Sequence, residues 1–317
     1  MLLDILISWD MDQIYMNRVK NISKTFSKSF IKNQSAMEYL MTYGWSILII
    51  AVVLGALSFL GVFNPVTFAP KATAGGCQVV KNSELGISNL EGSCNNQMPQ
   101  YVAQFDGQSS YIYGDGNYSF PLSNFQWIYP VNFGSSNFQV VSEFDGNQLT
   151  CGASSPYCGA LQLALTTTGN VVVWNGGSDF VSNFQISLNR WSFIGFSINY
   201  TSISIYTNGE KQLFQVSTPS PANGAPIFTI FGDQAQYQDR DFKGMIANVQ
   251  TYNGTVSSST VNTLYSEGIG GVPTSTRNLV GWWPLNGNAN DYSGNQNNGV
   301  PTNVVFTSNW YGGYTQP

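Results

Sequence analysis

Histidine is missing altogether from the 317 residues. Its absence removes the side chain most often used as a general base near neutral pH, and the commonest neutral metal ligand with it. Charge is scarce too: Asp, Glu, Lys and Arg make up 9% of the chain, against about 25% in ordinary soluble domains. From Gln34 onward, 14 acidic residues stand against 7 basic ones. Binding phosphate backbones draws on clustered Lys and Arg, so this balance speaks against a nucleic-acid partner. Cysteine is limited to Cys77, Cys94, Cys151 and Cys158, with no C-x-x-C spacing of the kind that holds zinc. Pairing 77 with 94 and 151 with 158 would close two short loops as disulfides, which an even count in an exported chain favours; buried free thiols are the alternative.

What replaces charge is Asn, Gln, Ser, Thr and Gly, with 14% aromatic residues. An uncharged polar surface rich in aromatics suits an extracellular β-protein better than a cytoplasmic enzyme. The few cations are also unevenly placed: Arg18, Lys20, Lys24, Lys28 and Lys32 are five of the twelve basic residues, all within the first tenth of the chain. They precede Tyr43–Phe63, 21 residues without a charge, closed by Pro65. As a helix this run is about 32 Å long, enough to cross a bilayer core of about 30 Å. Basic residues before it and few after it predict the amino terminus inside and the bulk outside.

A secretory signal is cut after its apolar stretch; here the polar segment comes first. The junction Lys32-Asn33-Gln34-Ser35-Ala36-Met37-Glu38-Tyr39-Leu40, followed by that apolar run, resembles the class III signal of archaeal type IV pilin-like proteins. The resemblance implies cleavage between Asn33 and Gln34 by a prepilin peptidase on the cytoplasmic face. The basic leader, residues 1–33, would be lost, with Met11 or Met16 as alternative starts that shorten it. Residues 34–63 would remain as a transmembrane and filament-core helix, and Glu38 would become the fifth residue of the mature chain. A carboxylate at the edge of an apolar helix is costly unless paired, and in such filaments the free amino group of a neighbouring subunit can pair it and set the axial register. The implied partners are copies of this chain or related pilins, the peptidase and the membrane. The implied location is the membrane, with the bulk on a cell-surface filament. A plain reading of the same residues is a single-span anchor that does not polymerise, with Glu38 in the headgroup region.

Residues 64–100, with Pro65, Pro70, Gly75, Gly76 and Pro99 around Cys77 and Cys94, read as a linker. Beyond it, short alternating apolar runs recur every 8 to 15 residues between Gly, Asn, Ser and Pro. Leu161, Leu163 and Leu165 alternate, as do Ile194, Phe196, Ile198 and Tyr200; Asn208-Gly209 then turns the chain between Ile203/Ile205 and Leu213. The pattern predicts an antiparallel β-sandwich with one helix, Ser258 to Glu267, stopped by Gly268. The fold class is thus mainly β: a long N-terminal hydrophobic α-helix followed by a sandwich.

Colinear pieces sharpen this. Tyr101-Val102-Ala103-Gln104-Phe105-Asp106-Gly107, the W-x-x-P strand at Trp127–Pro130, Trp191-Ser192-Phe193-Ile194-Gly195 and Phe242-Lys243-Gly244-Met245-Ile246 resemble laminin-G-like, concanavalin A-like jelly rolls over residues 101–272. Leu279-Val280-Gly281-Trp282-Trp283-Pro284 through Asp291-Tyr292-Ser293-Gly294 looks like that family's opening segment, displaced to the carboxyl end. Residues 273–317 are therefore expected to complete the sandwich, within the chain by preference, or else in a neighbouring subunit.

Such sandwiches include lectins and glycan hydrolases. The nearest approach to a carboxylate pair is Asp239-Arg240-Asp241, and the dense E-x-D-x-E cluster of concanavalin-like hydrolases is missing. Binding of a glycan or surface protein, without catalysis, is the expected role; an anchored hydrolase is the weaker reading. Calcium is the one candidate cofactor, with Asp106, Asp233, Asp239 and Asp241 as candidate ligands, and Asp115 and Asp145 as further rim oxygens; turn-stabilising Asp is the simpler explanation. Tyr111, Tyr113 and Tyr118 could stack on sugar rings. Asn117, Asn199 and Asn253 each open an N-x-S/T sequon, an acceptor for glycosylation in an exported chain. Amino-terminal sequencing of the mature protein should begin at Gln34; a mature chain that keeps Lys32 would remove the basis of the pilin reading.

Overall fold

In the sandwich, apolar residues alternate with a period of two, and the strands follow that alternation. The structure, a computed structural model, describes residues 16–18, 20–21, 41, 43–60, 71–72, 78–81, 88–91, 98–116, 118–135, 138–145, 161–216, 228–232 and 240–317. The chain divides into two units, Met1–Thr67 and Phe68–Pro317. Asn33, Gln34, Glu38 and all four cysteines lie outside the described residues, as do Asn117, Asp233 and Asp239.

In the first unit, residues 43–59 are helical. Most of its large apolar side chains are exposed, from Leu54 at 48% to Phe59 at 92%. The sequence predicts an apolar helix through Phe63; the described helix is shorter, and among the described residues no helix is long and apolar enough to cross a membrane.

The second unit begins with four short strands: β1 (Lys71–Ala72), β2 (Gln78–Lys81), β3 (Ser88–Glu91) and β4 (Met98–Pro99). β1 lies parallel to β4, and β2 forms a hairpin with β3. Then follow β5 (Val102–Asp106), β6 (Tyr111–Asp115), β7 (Leu122–Pro130), β8 (Phe138–Asp145), β9 (Leu161–Thr166), β10 (Asn170–Trp174), β11 (Asp179–Gln185) and β12 (Ser192–Ile198). The chain continues through β13 (Ser202–Thr207), β14 (Glu210–Gln215), β15 (Phe228–Phe231), β16 (Lys243–Asn253), the helix Ser258–Ser266, β17 (Leu279–Trp283), β18 (Gly299–Thr302) and β19 (Val305–Thr307). Two antiparallel sheets result. One has the order β11-β10-β9-β8-β15-β6-β18; the other runs β14-β13-β12-β7-β16-β5-β19, with β17 beside β16.

Between the sheets lies a single apolar core: Leu161, Leu163, Leu165, Val171 and Val173 from one side, Ile194, Phe196, Ile198, Ile203 and Ile205 from the other. Polar side chains inside it are paired across the gap or along the sheet. The Gln126 amide donates to Ser142 Oγ at 2.7 Å, and Asn124 Nδ2 donates to Thr251 Oγ1 at 3.0 Å. At the β13–β14 hairpin, Asn208 (φ 50°) and Gly209 (φ 86°) take the left-handed conformations that a two-residue turn with matching twist requires. The helix starts at the Ser257 cap, whose Oγ accepts from Thr260 N–H, and ends before Gly268 at φ 78°.

The outer face of the eight-stranded sheet is not left to water. Phe125, Trp127, Phe193, Tyr206 and Tyr252 point outward from it, and the helix and the carboxyl-terminal tail lie over them. Trp127 stacks on Tyr265 of the helix (5.9 Å, 19°) and meets Tyr314 edge-on at 5.6 Å. Trp191 Nε1 donates to the Trp310 carbonyl at 2.8 Å, and the Tyr314 hydroxyl accepts from Ile269 N–H. The tail is thus stitched into its own chain: β18 pairs with β6, β19 with β5, and β17 with β16. β17 carries Trp283 into the core, 5.2 Å from Phe231, with its indole N–H on the Asn297 carbonyl. Trp283→Ala should cost about 3–5 kcal/mol, the range for truncating a large buried aromatic. Denaturant unfolding of the sandwich checks it, as a drop in midpoint at unchanged slope.

Candidate functional site

Across the seven-stranded sheet the registers line up one residue from each strand. Asp179 pairs with Trp174, Trp174 with Gln162, Gln162 with Glu143, Glu143 with Ile230, Ile230 with Tyr113, and Tyr113 with Val300. On β8 and β9, Ser142, Phe144, Leu161 and Leu163 face the core. By the two-residue period, Glu143 and Gln162 therefore face outward, and the register carries that face to Trp174, Asp179, Tyr113 and Val300. Exposure is graded along it. Val300 and Asp179 reach solvent, Tyr113 and Trp174 are half-buried, and Gln162 and Glu143 at the centre are 4% and 8% exposed.

Beside the polar row runs an apolar one. Val140, Ala164 and Val172 are buried together with Phe138 against them, and a bulge between Val140 and Ser142 lets Val141 turn inward while Val140 stays on the outer face. The segment that returns after β15 adds a cation. Asp241 bridges to Val140, and Arg240, next to it, acts on the Asp179 carboxylate. Crowding by neighbouring atoms raises the Asp179 pKa, while the Arg240 guanidinium pulls it back. The face therefore carries two half-buried aromatics on either side of a buried amide and carboxylate, with a cation–anion pair towards one end. Glu143 and Asp179 are three strands apart, about 14 Å at a strand spacing of about 4.8 Å. Glycoside hydrolysis uses carboxyls roughly 5 to 9.5 Å apart.

The predicted residues scatter. Tyr111 and Tyr113 do lie on this face, from β6. Tyr118 does not: it sits in the connection between β6 and β7, is 1% exposed, and packs edge-on against Phe144 of the core at 5.6 Å. Of the calcium candidates, Asp106 is a turn residue. Its Oδ1 accepts from the N–H groups of Gln108, Ser109 and Ser110 and from Ser110 Oγ, and its Oδ2 from Ser109 Oγ. Asp241 is buried beside β8, apart from that turn; Asp115 and Asp145 pair in register with opposite sides of Phe228. Among the described residues no group of three Asp, Glu, His or Cys stands close enough to hold a metal ion. Asn199 and Asn253 lie at strand ends. Glu143, Gln162, Trp174 and Asp179 are not marked by any motif; only knowing which strands pair places them together.

Two antiparallel sheets packed across one core make this a jelly-roll-like sandwich. Residues 106–262 match the family model described as the concanavalin A-like lectin/glucanases superfamily. Among solved structures, the chain is similar to a candidate carbohydrate-binding protein of Bacteroides ovatus, at 13% identity and a TM-score of 0.48 over 71% of this chain and 64% of that one. It is also similar to a heptameric SAP-like pentraxin of Limulus polyphemus (13% identity, TM-score 0.46, 65% of this chain and 94% of that one). A third is the CBM40 of a Ruminococcus gnavus sialidase bound to α2,3-sialyllactose (11% identity, TM-score 0.39, 54% of this chain and 98% of that one). The chain thus spans just under two thirds of the Bacteroides protein. No match is found among curated proteins.

Burial is the largest single influence on Asp106 and works against its ionisation, but the hydrogen bonds from Ser109, Gln108 and Ser110 together outweigh it and hold its pKa well below the usual 3.8. A depressed folded pKa means stability that is present above the unfolded value and lost as pH falls below it. Asp106→Ala should therefore destabilise the sandwich at pH 7 by about 1 kcal/mol, typical of losing a cap. The loss should shrink as pH falls through 3.8 and below, and calcium should leave the wild-type melting temperature unmoved. Thermal melts between pH 2 and 7, with calcium or chelator, check both.

Proposed function

We propose that the sandwich is a glycan-binding head that binds without cleaving, displayed outside the cell by the apolar N-terminal helix as a subunit of a pilin-like filament. The observation that carries the head's part is the transverse row. Sugar recognition asks for flat apolar surfaces that meet the C–H faces of a pyranose, flanked by a few fixed polar groups for its hydroxyls. Trp174 and Tyr113 stand half-buried on either side of Gln162 and Glu143. The match of residues 106–262 to a lectin-type family model supports the same reading.

The helix supports display. Residues 43–59 place Trp45, Ile47, Leu48, Ile49, Ile50, Val52 and Val53 in the open around the helix. An apolar helix exposed all round is at home only in lipid or among other helices. The junction at Asn33, Gln34 and Glu38 adds the processing site and the register-setting carboxylate of the pilin resemblance. The absence of histidine and the wide spacing of Glu143 and Asp179 fit binding better than catalysis.

Trp174→Ala tests the head. On a glycan array the wild-type protein should retain a defined set of glycans, and Trp174→Ala should lose about 10- to 100-fold in affinity, or about 1.4 to 2.7 kcal/mol, with an unchanged melting temperature. Wild-type protein silent across the array, or binding unaffected by Trp174→Ala, would sink the proposal.

A further inference from the structure

The β12–β13 hairpin carries one of the three sequons, Asn199-Tyr200-Thr201, at the end of the sandwich. Its turn is held by the Asn199 side chain. The Asn199 Oδ1 accepts from Thr201 N–H at 2.9 Å, Thr201 Oγ1 at 3.1 Å, Ser202 N–H at 2.9 Å and Ser202 Oγ at 3.2 Å. With four donors on the oxygen, the amide is fixed in one rotamer and its nitrogen, Nδ2, is left pointing away from the turn with its hydrogens unshared. Thr201 is exposed and Tyr200 is 59% exposed. Tyr200, the middle residue of the sequon, meets Phe120 edge-on at 4.9 Å, so an aromatic pair stands next to Asn199 in the chain.

The sequon at Asn253 is built differently. Asn253 closes β16, the central strand of its sheet. Its Oδ1 accepts from Ser119 N–H at 2.8 Å, and its backbone N–H donates to the Asn278 carbonyl. That side chain ties the loop before β7 to the end of β16, so its carbonyl oxygen is held by a residue outside the sequon.

We infer that Asn199 is a site of N-linked glycosylation and that the Asn253 sequon is withheld by the fold. This rests on the proposed location of the sandwich outside the cell. The step joins Asn199 Nδ2 to the anomeric carbon of a sugar carried by a lipid-phosphate-linked oligosaccharide. The N–C bond forms, the anomeric C–O bond to phosphate breaks, the lipid phosphate leaves with the electron pair, and Nδ2 gives up one proton. An amide nitrogen is a poor nucleophile because its lone pair is drawn into the carbonyl. In the hairpin the hydroxyl and N–H of Thr201 already hold the carbonyl oxygen, so the amide is presented in a single pose, and the hydroxyl that the sequon requires is the one that fixes it. The Phe120–Tyr200 pair then gives the first sugar an apolar surface to lie against.

The test uses the full chain exported by an N-glycosylating host that modifies a control sequon protein in the same cells. External protease digestion of intact cells establishes whether the head is outside. Peptide mass mapping should find a glycan mass on the Asn199 peptide and none on the Asn253 peptide. Asn199→Asp keeps an oxygen acceptor for Thr201 and Ser202, so it should fold with an unchanged melting temperature and carry no glycan there. Thr201→Ser should retain modification, and Thr201→Ala should lose it. An accessible head whose Asn199 peptide stays bare, or that carries sugar on Asn253 instead, would overturn the inference and leave the glycan-binding proposal standing. A head inaccessible from outside would overturn both the inference and the proposed location.

Discussion

Everything outside the core of this sandwich follows from one constraint: the eight-stranded sheet is apolar on both faces. Phe125, Trp127, Phe193, Tyr206 and Tyr252 point away from the core yet are buried. Each such ring hides roughly 150–250 Å², worth about 4–6 kcal/mol of transfer free energy at about 25 cal/mol per Å². That is too much to leave in water. The helix Ser258–Ser266 and the tail through Trp310 and Tyr314 are what cover it, and the covering explains why the chain continues past β16. Having come that far, the carboxyl-terminal segment also supplies the edge strands of both sheets.

The outer face of the seven-stranded sheet is buried at its centre, around Val140, Ala164, Gln162 and Glu143, and reaches solvent towards its ends, at Asp179 and Val300. The seven-stranded sheet has no helix over its described residues, and its transverse row draws on strands that run from residue 111 to residue 302 in the chain. A chain so poor in charge places Glu143, Asp179, Arg240 and Asp241 close to the same sheet. Elsewhere its acidic residues serve local structure. Asp106 closes a turn, and Asp291 accepts from Trp282 N–H, Ser293 N–H and Asn297 N–H, pinning the loop after β17.

Much of the sandwich is legible in the sequence because its signals are local. Alternating Leu161, Leu163 and Leu165 face the core as their period demands, Asn208-Gly209 makes the hairpin its φ angles allow, and Ser257 and Gly268 bound the helix within a residue of expectation. Tyr118 misleads because aromatic character does not say whether a residue between two strands turns to solvent or, as here, onto Phe144 in the core. Trp127 points away from the core, and the helix and tail lying over it account for its burial. The candidate site was read only in part, through Tyr111 and Tyr113. Glu143, Gln162, Trp174 and Asp179 meet through strand order, and a strand's own residues carry little record of its neighbours.

By itself, then, the sequence determined which segments become strands, where they turn, which loops need Asp or Gly, and that an apolar helix precedes them. Those properties depend on contacts between residues a few positions apart. The tertiary structure decided which strands lie side by side, which sheet face is roofed by the tail, and which side chains share the outer face of the other sheet. Those outcomes depend on burying large apolar areas at once, and no short stretch of chain encodes where its distant partners will stand.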